Sequence, residues 1–210
     1  MLKKIVFMGT PEFAVPSLEA LVKSDYNISL VYSQPASKAN RGQKLVTSEI
    51  ENTAKKFSLK IRTPSNLNND TEYNIIKSIK PDIVIVVAYG KIIPKRFLTI
   101  PKFGFINVHA SLLPKWRGAA PIQRSIINLD KETGISIMKI NDKLDSGDVS
   151  KVFKLKILEN ENAQNLSERL STLASEKILN IIDDILDGNA SFKKQDDQNA
   201  TYANKIDKSE

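Results

Sequence analysis

Asn107 and His109 stand two residues apart at the end of an apolar run, Phe103 to His109. A strand sends alternate side chains to opposite faces, so these two point to the same side. An amide NH2 can donate to a carbonyl oxygen that turns negative as a nucleophile adds, and an imidazole beside it moves protons near neutral pH. The pairing suits chemistry at a carbonyl carbon. A third group, Asp145, lies in the loop Asn141-Asp-Lys-Leu-Asp-Ser-Gly-Asp148. Gly147 permits a close turn there, which would bring the carboxylate over the imidazole and orient it. The other reading is that these carboxylates only shape a turn, since Asp and Gly are common turn residues.

Composition removes the competing chemistries. The chain has 210 residues, room for one cored domain and a short appendage, and its 41% apolar and 26% charged residues match soluble globular chains. With no Cys there is no disulfide, thiol nucleophile or thiolate metal site, and with a single His there is no paired-histidine zinc site. No metal is expected. The net charge of +7 is unevenly spread. Lys91 to Ser125 holds seven basic residues and no acidic one, and Gln34 to Arg62 holds seven against Glu49 and Glu51. Such a face attracts phosphate, as in nucleic acid, a phosphorylated metabolite or an anionic polyglutamate ligand, or is simply solvated. No apolar run approaches the roughly 18 residues of a membrane span. A cytoplasmic chain with no membrane partner is expected.

The elements that must position the trio alternate. Ile5 to Met8 reads as a strand, Gly9-Thr-Pro11 as a turn, and Phe13 to Val22 as a helix with Thr10 as N-cap. Ile28 to Tyr32 is a strand, Ser33 to Thr47 a long polar loop, and Ser48–Phe57 and Asn69–Ile79 are helices, the second opening on an Asn69-x-x-Glu72 capping box. The run Ile83-Val-Ile-Val-Val87 reads as a central strand buried on both faces. After the Asn107 region come a helix near Ala120 to Asn128, strands at Gly134–Ile140 and Val149–Leu158, and a helix from Ala163 to Leu186 with Gly188 at its end. The pattern predicts an α/β fold, a Rossmann-like, mostly parallel sheet with helices on both faces and ligands at the carboxyl ends of strands. Gly9-Thr-Pro-Glu-Phe-Ala has one of the three glycines a dinucleotide fingerprint needs, and no P-loop occurs. Nicotinamide, flavin and kinase chemistry are therefore not expected.

The segment Asn107-Val-His-Ala-Ser-Leu-Leu-Pro-Lys-Trp-Arg-Gly-Ala-Ala-Pro-Ile-Gln-Arg124 resembles the folate-dependent formyltransferase family, most closely its methionyl-tRNA type. Leu144-Asp-Ser-Gly-Asp148 resembles the family's second signature, and Phe7 to Ala14, Gln34-Pro35, Arg41-Gly42 and Val86 to Pro94 extend the match. The resemblance implies formyl transfer from 10-formyltetrahydrofolate to the amino group of methionyl initiator tRNA. It implies that Asn107, His109 and Asp145 are catalytic, with Asn107 and protonated His109 stabilising the oxyanion and Asp145 positioning His109. Residues that match the folate-binding positions are Ala88, Tyr89, Gly90, Ile92, Ile93, Ser111, Leu112, Leu113, Pro114, Asn141 and Leu144. Ile92 and Ile93 can equally be plain core.

Arg41, Lys44 and Arg117 match positions that face tRNA, although the Ser33–Thr47 loop is poorer in Pro, Gly, Arg and Lys than is usual in the family. Residues 1–188 are expected to be the catalytic domain, and polar residues 189–210 a linker with Phe192 and Tyr202 as anchors, leading to an OB-like C-terminal domain that the sequence does not contain. A monomer is expected. The alternatives are the same transfer to another amine, on an amino-sugar nucleotide or glycinamide ribonucleotide, or a folate- or RNA-binding remnant without turnover.

Overall fold

The computed structural model describes residues 3–39 and 44–207. The first half of the chain runs β1 (Lys4–Gly9), α1 (Val15–Val22), β2 (Asn27–Tyr32), β3 (Ser37–Ala39), β4 (Lys44–Val46), α2 (Glu49–Lys56), β5 (Ile61–Arg62), α3 (Asp70–Ile79) and β6 (Ile83–Val87). The second half runs β7 (Phe105–His109), β8 (Arg117–Gly118), α4 (Pro121–Ile127), β9 (Glu132–Lys139), β10 (Val149–Lys156), α5 (Ala163–Leu186) and β11 (Tyr202–Ala203).

Seven strands form one sheet in the order β10-β9-β7-β6-β1-β2-β5. The five from β7 to β5 are parallel, and β9 and β10 extend the sheet antiparallel. Side-chain alternation divides the core cleanly. Ile5, Phe7, Ile83, Ile85, Val87, Ile106 and Val108 face one side, where α1, α2, α4 and α5 pack. Val6, Met8, Val84, Val86 and Phe105 face the other, where α3 and the Phe97 turn cover part of the sheet. Each fully buried aliphatic side chain contributes roughly 1.5–3 kcal/mol of transfer free energy, so a one-residue slip of either central strand would be prohibitive. Helix α5 closes the first face with a stripe of Leu166, Leu170, Ala174, Ile178, Ile182 and Ile185. It stops where Gly188 takes φ +77°, a left-handed position suited to a residue without a Cβ.

Several local expectations are corrected. Thr10 does not cap α1: a 3-10 turn at Glu12–Ala14 intervenes, and Thr10 Oγ1 donates instead to the Tyr89 carbonyl at 2.8 Å. The capping box of α3 forms only in part. Asn69 Oδ1 accepts from the Glu72 N–H at 2.9 Å, but the Glu72 carboxylate is drawn away by Arg62 and Tyr32. The described parts of the polar stretch 33–47 pair as the antiparallel strands β3 and β4. Gly9 serves packing, since a Cβ there would lie 2.9 Å from Ala14 Cβ and 3.0 Å from the Val87 carbonyl oxygen.

The polar segment after Gly188 lies against the domain. Lys193 bridges to Val149, Tyr202–Ala203 pairs in parallel with Arg117–Gly118, and Gln195 and Ala203 are buried. Phe192 does pack on the core, but Tyr202 is exposed, so the anchors beyond Phe192 are Gln195 and Ala203.

Candidate active site

The carboxyl ends of β1, β2, β6 and β7 meet at one edge of the sheet, and the chain leaves β1 toward β2 on one side and returns through β6 on the other. Such a reversal is the point at which open α/β sheets form the crevice that binds ligands. Thr10, Gln34 and residues 88–90 converge there. Thr10 Oγ1 and Gln34 Nε2 both donate to the Tyr89 carbonyl, at 2.8 and 2.9 Å. They hold a backbone in which Ala88 has φ +48° and Gly90 φ +74°.

Asn107 and His109 project from β7 on the same face as Phe105, beside the antiparallel neighbours Met138 and Ser136. Asn107 is half-buried, and its amide makes no hydrogen bond to any described residue. His109 is only 6% exposed. Its Nε2 lies 2.8 Å from the Trp116 carbonyl oxygen and its Nδ1 lies 3.7 Å from Asp145 Oδ2. A carbonyl can only accept, so Nε2 carries a proton and Nδ1 is the nitrogen left to exchange one. Asp145 Oδ2 also accepts from the Gly118 N–H at 2.9 Å. The three residues are thus brought together from β7 and two loops.

Those loops are built under strain. Trp116 has φ +63°, Gly118 φ +122° and Asp145 φ +42°. Left-handed non-glycine residues cost of order 1–3 kcal/mol each and persist only where surroundings over-determine them. Ser136 Oγ braces the first loop, donating to the Ser111 carbonyl at 2.7 Å and accepting from the Leu113 N–H at 3.0 Å. Asp130 braces the Trp116 region. It accepts from Lys115 Nζ at 2.7 Å and Trp116 Nε1 at 2.8 Å. Burial alone would raise its pKa, but those bonds and one from Asn128 overcome this and hold the carboxyl below its ordinary value. In the second loop Asn141 Oδ1 accepts from the Lys143 N–H and Ser146 Oγ, and Gly147 passes so close to β9 that a Cβ would meet the Lys139 carbonyl.

The structure sorts the remaining expected site residues. Ala88, Gly90, Ile92, Asn141 and Leu144 are exposed beside the crevice or on the Asp145 loop, Ile92 at 91% and Leu144 at 63%. Leu112 and Pro114 are half-buried. The side chains of Tyr89 and Ile93 lie in the apolar core, so at these two positions the backbone is what the chain offers at the sheet edge. Ser111 and Leu113 are also buried, the Ser111 hydroxyl spent on the Lys115 carbonyl. Lys44 is exposed on β4, and Arg41 lies outside the described residues. Arg117 is 3% exposed, and its guanidinium is held by Gln195 at 3.0 Å and Asp197 at 2.7 Å, turned in this structure to protein partners. The Trp116 carbonyl, the Gly118 N–H, Ser136 and Gln195 were not expected. Backbone partners leave no trace in side-chain type, and a lone Gln in a polar segment carries no signal. Among the described residues, no group of three or more His, Asp or Glu could hold a metal ion, and no helix is long and apolar enough to cross a membrane.

Residues 3–182 match the formyl transferase family. The chain is 56% identical over its full length to a methionyl-tRNA formyltransferase of Pelagibacter ubique, covering 68% of that protein. It is 44% identical over 99% of its length to that of Coxiella burnetii, covering 66% of it. It thus spans about two thirds of the length of these relatives. Among solved structures it is similar to glycinamide ribonucleotide transformylase 1 of Symbiobacterium toebii, with a TM-score of 0.73, 14% identity and coverage of 93% of this chain and 95% of that one. It is similar also to an N-formyltransferase of Helicobacter canadensis solved with folinic acid and dTDP-3-aminofucose, with a TM-score of 0.73, 21% identity and coverage of 97% and 71%. These structural likenesses bear on the fold alone.

Proposed function

The chain belongs to the formyl transferase family, and on that premise we propose that it moves a formyl group from 10-formyltetrahydrofolate to the amino group of methionine carried by initiator tRNA. The observation that carries this reading is the Asn107 amide, without a hydrogen bond among the described residues, on the same strand face as an imidazole held between a carbonyl and a carboxylate. The two most similar relatives described above favour methionyl-tRNA as acceptor over a sugar nucleotide or glycinamide ribonucleotide.

The crevice fits a flat, amphipathic pterin. Exposed Ile92 and Leu144 offer apolar surface, and the left-handed backbone at Ala88 and Gly90 offers peptide groups at the strand ends. When bound, the folate supplies an activated formyl carbonyl. Asn107 donates to the oxygen on which charge develops. As the amine bonds to the formyl carbon, His109, fixed through Nε2, takes up at Nδ1 the proton the amine loses and returns it to the folate nitrogen whose bond to that carbon breaks, and the Asp145 carboxylate offsets the imidazolium charge formed in between. The basic loop that includes Arg41 and Lys44 receives the phosphates of the acceptor tRNA. The enzyme works in the cytoplasm as a monomer, without a metal.

The test is formylation of methionyl-tRNA by the purified chain at low salt. His109→Ala and Asn107→Ala should each slow turnover about 10²–10³-fold, the usual effect of losing one such group. A rate within a few-fold of the parent in both variants would overturn the assignment.

A further inference from the structure

The two groups that grip His109 come from separate loops, and both loops are tied to one stretch of the C-terminal segment. Gln195, 7% exposed, donates from Nε2 to the carbonyls of Asp145 at 2.9 Å and Gly147 at 2.8 Å, and its Oε1 accepts from Arg117 Nε at 3.0 Å. Two carbonyls on one side and an N–H on the other leave only this orientation of the amide. Further along, Thr201 Oγ1 accepts from the Trp116 N–H at 2.9 Å and the Thr201 carbonyl from the Arg117 N–H at 2.8 Å. Ala203 then pairs with Gly118 and accepts from the Ala120 N–H at 3.1 Å.

We propose that residues 195–203 form a strap that sets the position of both His109 partners, with Gln195 as its positioning residue. The need for one follows from the backbone. Asp145 has φ +42° and Trp116 φ +63°, conformations that relax unless something outside the residue holds them. Besides Gln195, Asp145 is braced by its carboxylate contact to Gly118 in the other loop, which is itself part of the strapped segment. From outside the site, Gln195 touches both loops at once, through three hydrogen bonds made away from water, where leaving partners unmade is costly. Gln195 reaches neither His109 nor the Asn107 amide, so it acts through the backbone carbonyl of Asp145. The inference rests on the proposed formyl transfer for its consequence in turnover, but its geometric content does not depend on the acceptor.

The test compares the 210-residue chain with Gln195→Met, which removes all three bonds at similar volume, and Gln195→Glu, which keeps an acceptor for Arg117 and removes both donors. His109 is the only histidine, so 15N labelling of histidine gives one pair of ring resonances. Both variants should shift that pair, speed amide exchange at Gly118 while strands β1 and β6 keep their protection, and lower kcat about tenfold or more. Unchanged ring resonances, or exchange at Gly118 rising only in step with β1 and β6, would overturn the strap, as would turnover within about twofold of the parent. If Gln195→Met does not fold, Gln195→Glu decides by the same readouts. If the parent chain transfers no formyl group, the reading of function fails, and the ring and exchange measurements still decide the strap.

Discussion

Gly118 donates its N–H to Asp145 Oδ2 at 2.9 Å, and the same oxygen faces His109 Nδ1 at 3.7 Å. One carboxylate thus links the Gly118 backbone to the imidazole. Asp145→Asn keeps the volume and an acceptor for Gly118 but removes the charge that balances a protonated ring. It should lower kcat about 10²–10⁴-fold with the folate KM changed less than about threefold. Steady-state formyl transfer at saturating folate checks this, and an equal fall in affinity and turnover would assign Asp145 to folate binding instead.

Gly118→Ala approaches the same contact from the backbone. Gly118 has φ +122°, and a Cβ there would lie 2.8 Å from the Ala203 carbonyl oxygen, a backbone atom that cannot turn aside. The substitution should cost about 1–3 kcal/mol of stability and separate β8 from β11. Urea unfolding measures the first. Lost protection of the Arg117 amide, which donates to the Thr201 carbonyl, measures the second.

The parallel core was legible because Ile83 to Val87 is apolar at every position and can only be a strand covered on both sides. The Asn107 and His109 pair was legible because period two needs no tertiary information. Asp145 came within reach only through Gly147, and no residue pattern encodes its distance from the ring. Tyr89 and Ile93 went to the core instead because left-handed turns at Ala88 and Gly90 re-aim the side chains after β6, and no hydrophobic pattern encodes that. The surroundings of Arg117 were hidden for a similar reason. Its partners Gln195 and Asp197 lie nearly eighty residues away in a stretch whose polarity reads as linker. Charge in a sequence reports a side chain's type, not what it meets.

The Tyr89 carbonyl has two donors, Thr10 Oγ1 and Gln34 Nε2. Either one can satisfy it, so Thr10→Val or Gln34→Leu alone should change folate affinity less than about threefold. Together they should weaken it about tenfold or more, because the left-handed turn at Ala88 and Gly90 then loses its outside hold. Equilibrium folate binding to the single and double variants checks the coupling, and strictly additive effects would remove the clamp's role.

Glu72, buried between Arg62 and Tyr32, carries a pH dependence. The hydrogen bonds from Arg62 hold its carboxyl below the ordinary glutamate value, against burial, with the Tyr32 hydroxyl adding to the effect. A carboxyl with a lowered folded pKa contributes stability above its unfolded pKa and loses it as pH falls through the folded one. Stability should therefore decline on the acid side of the ordinary glutamate range, and Glu72→Gln should flatten that decline. At neutral pH the variant should be about 1–3 kcal/mol less stable, since Arg62, partly exposed, can recover some hydration. Urea midpoints between acid and neutral pH decide it: parallel curves for parent and variant would place the acid sensitivity elsewhere.

Lys44 and Arg117 are both expected from the family resemblance to face tRNA, yet their surroundings predict opposite behaviour. Lys44 is exposed on β4, whereas Arg117 is buried against Gln195 and Asp197. Lys44→Glu should raise the KM for methionyl-tRNA several-fold at low salt, with the effect shrinking as salt screens it, and should leave folate binding and thermal stability alone. Arg117→Met should lower the thermal midpoint and kcat at every ionic strength, because it strips a buried acceptor on Gln195 of its partner and loosens the segment that carries the Trp116 carbonyl. Kinetics over a salt series separate the two. A salt-dependent tRNA defect in Arg117→Met would mean that its guanidinium leaves Asp197 to meet phosphate in the complex. A Lys44→Glu variant with unchanged KM at low salt would move the tRNA contact away from β4.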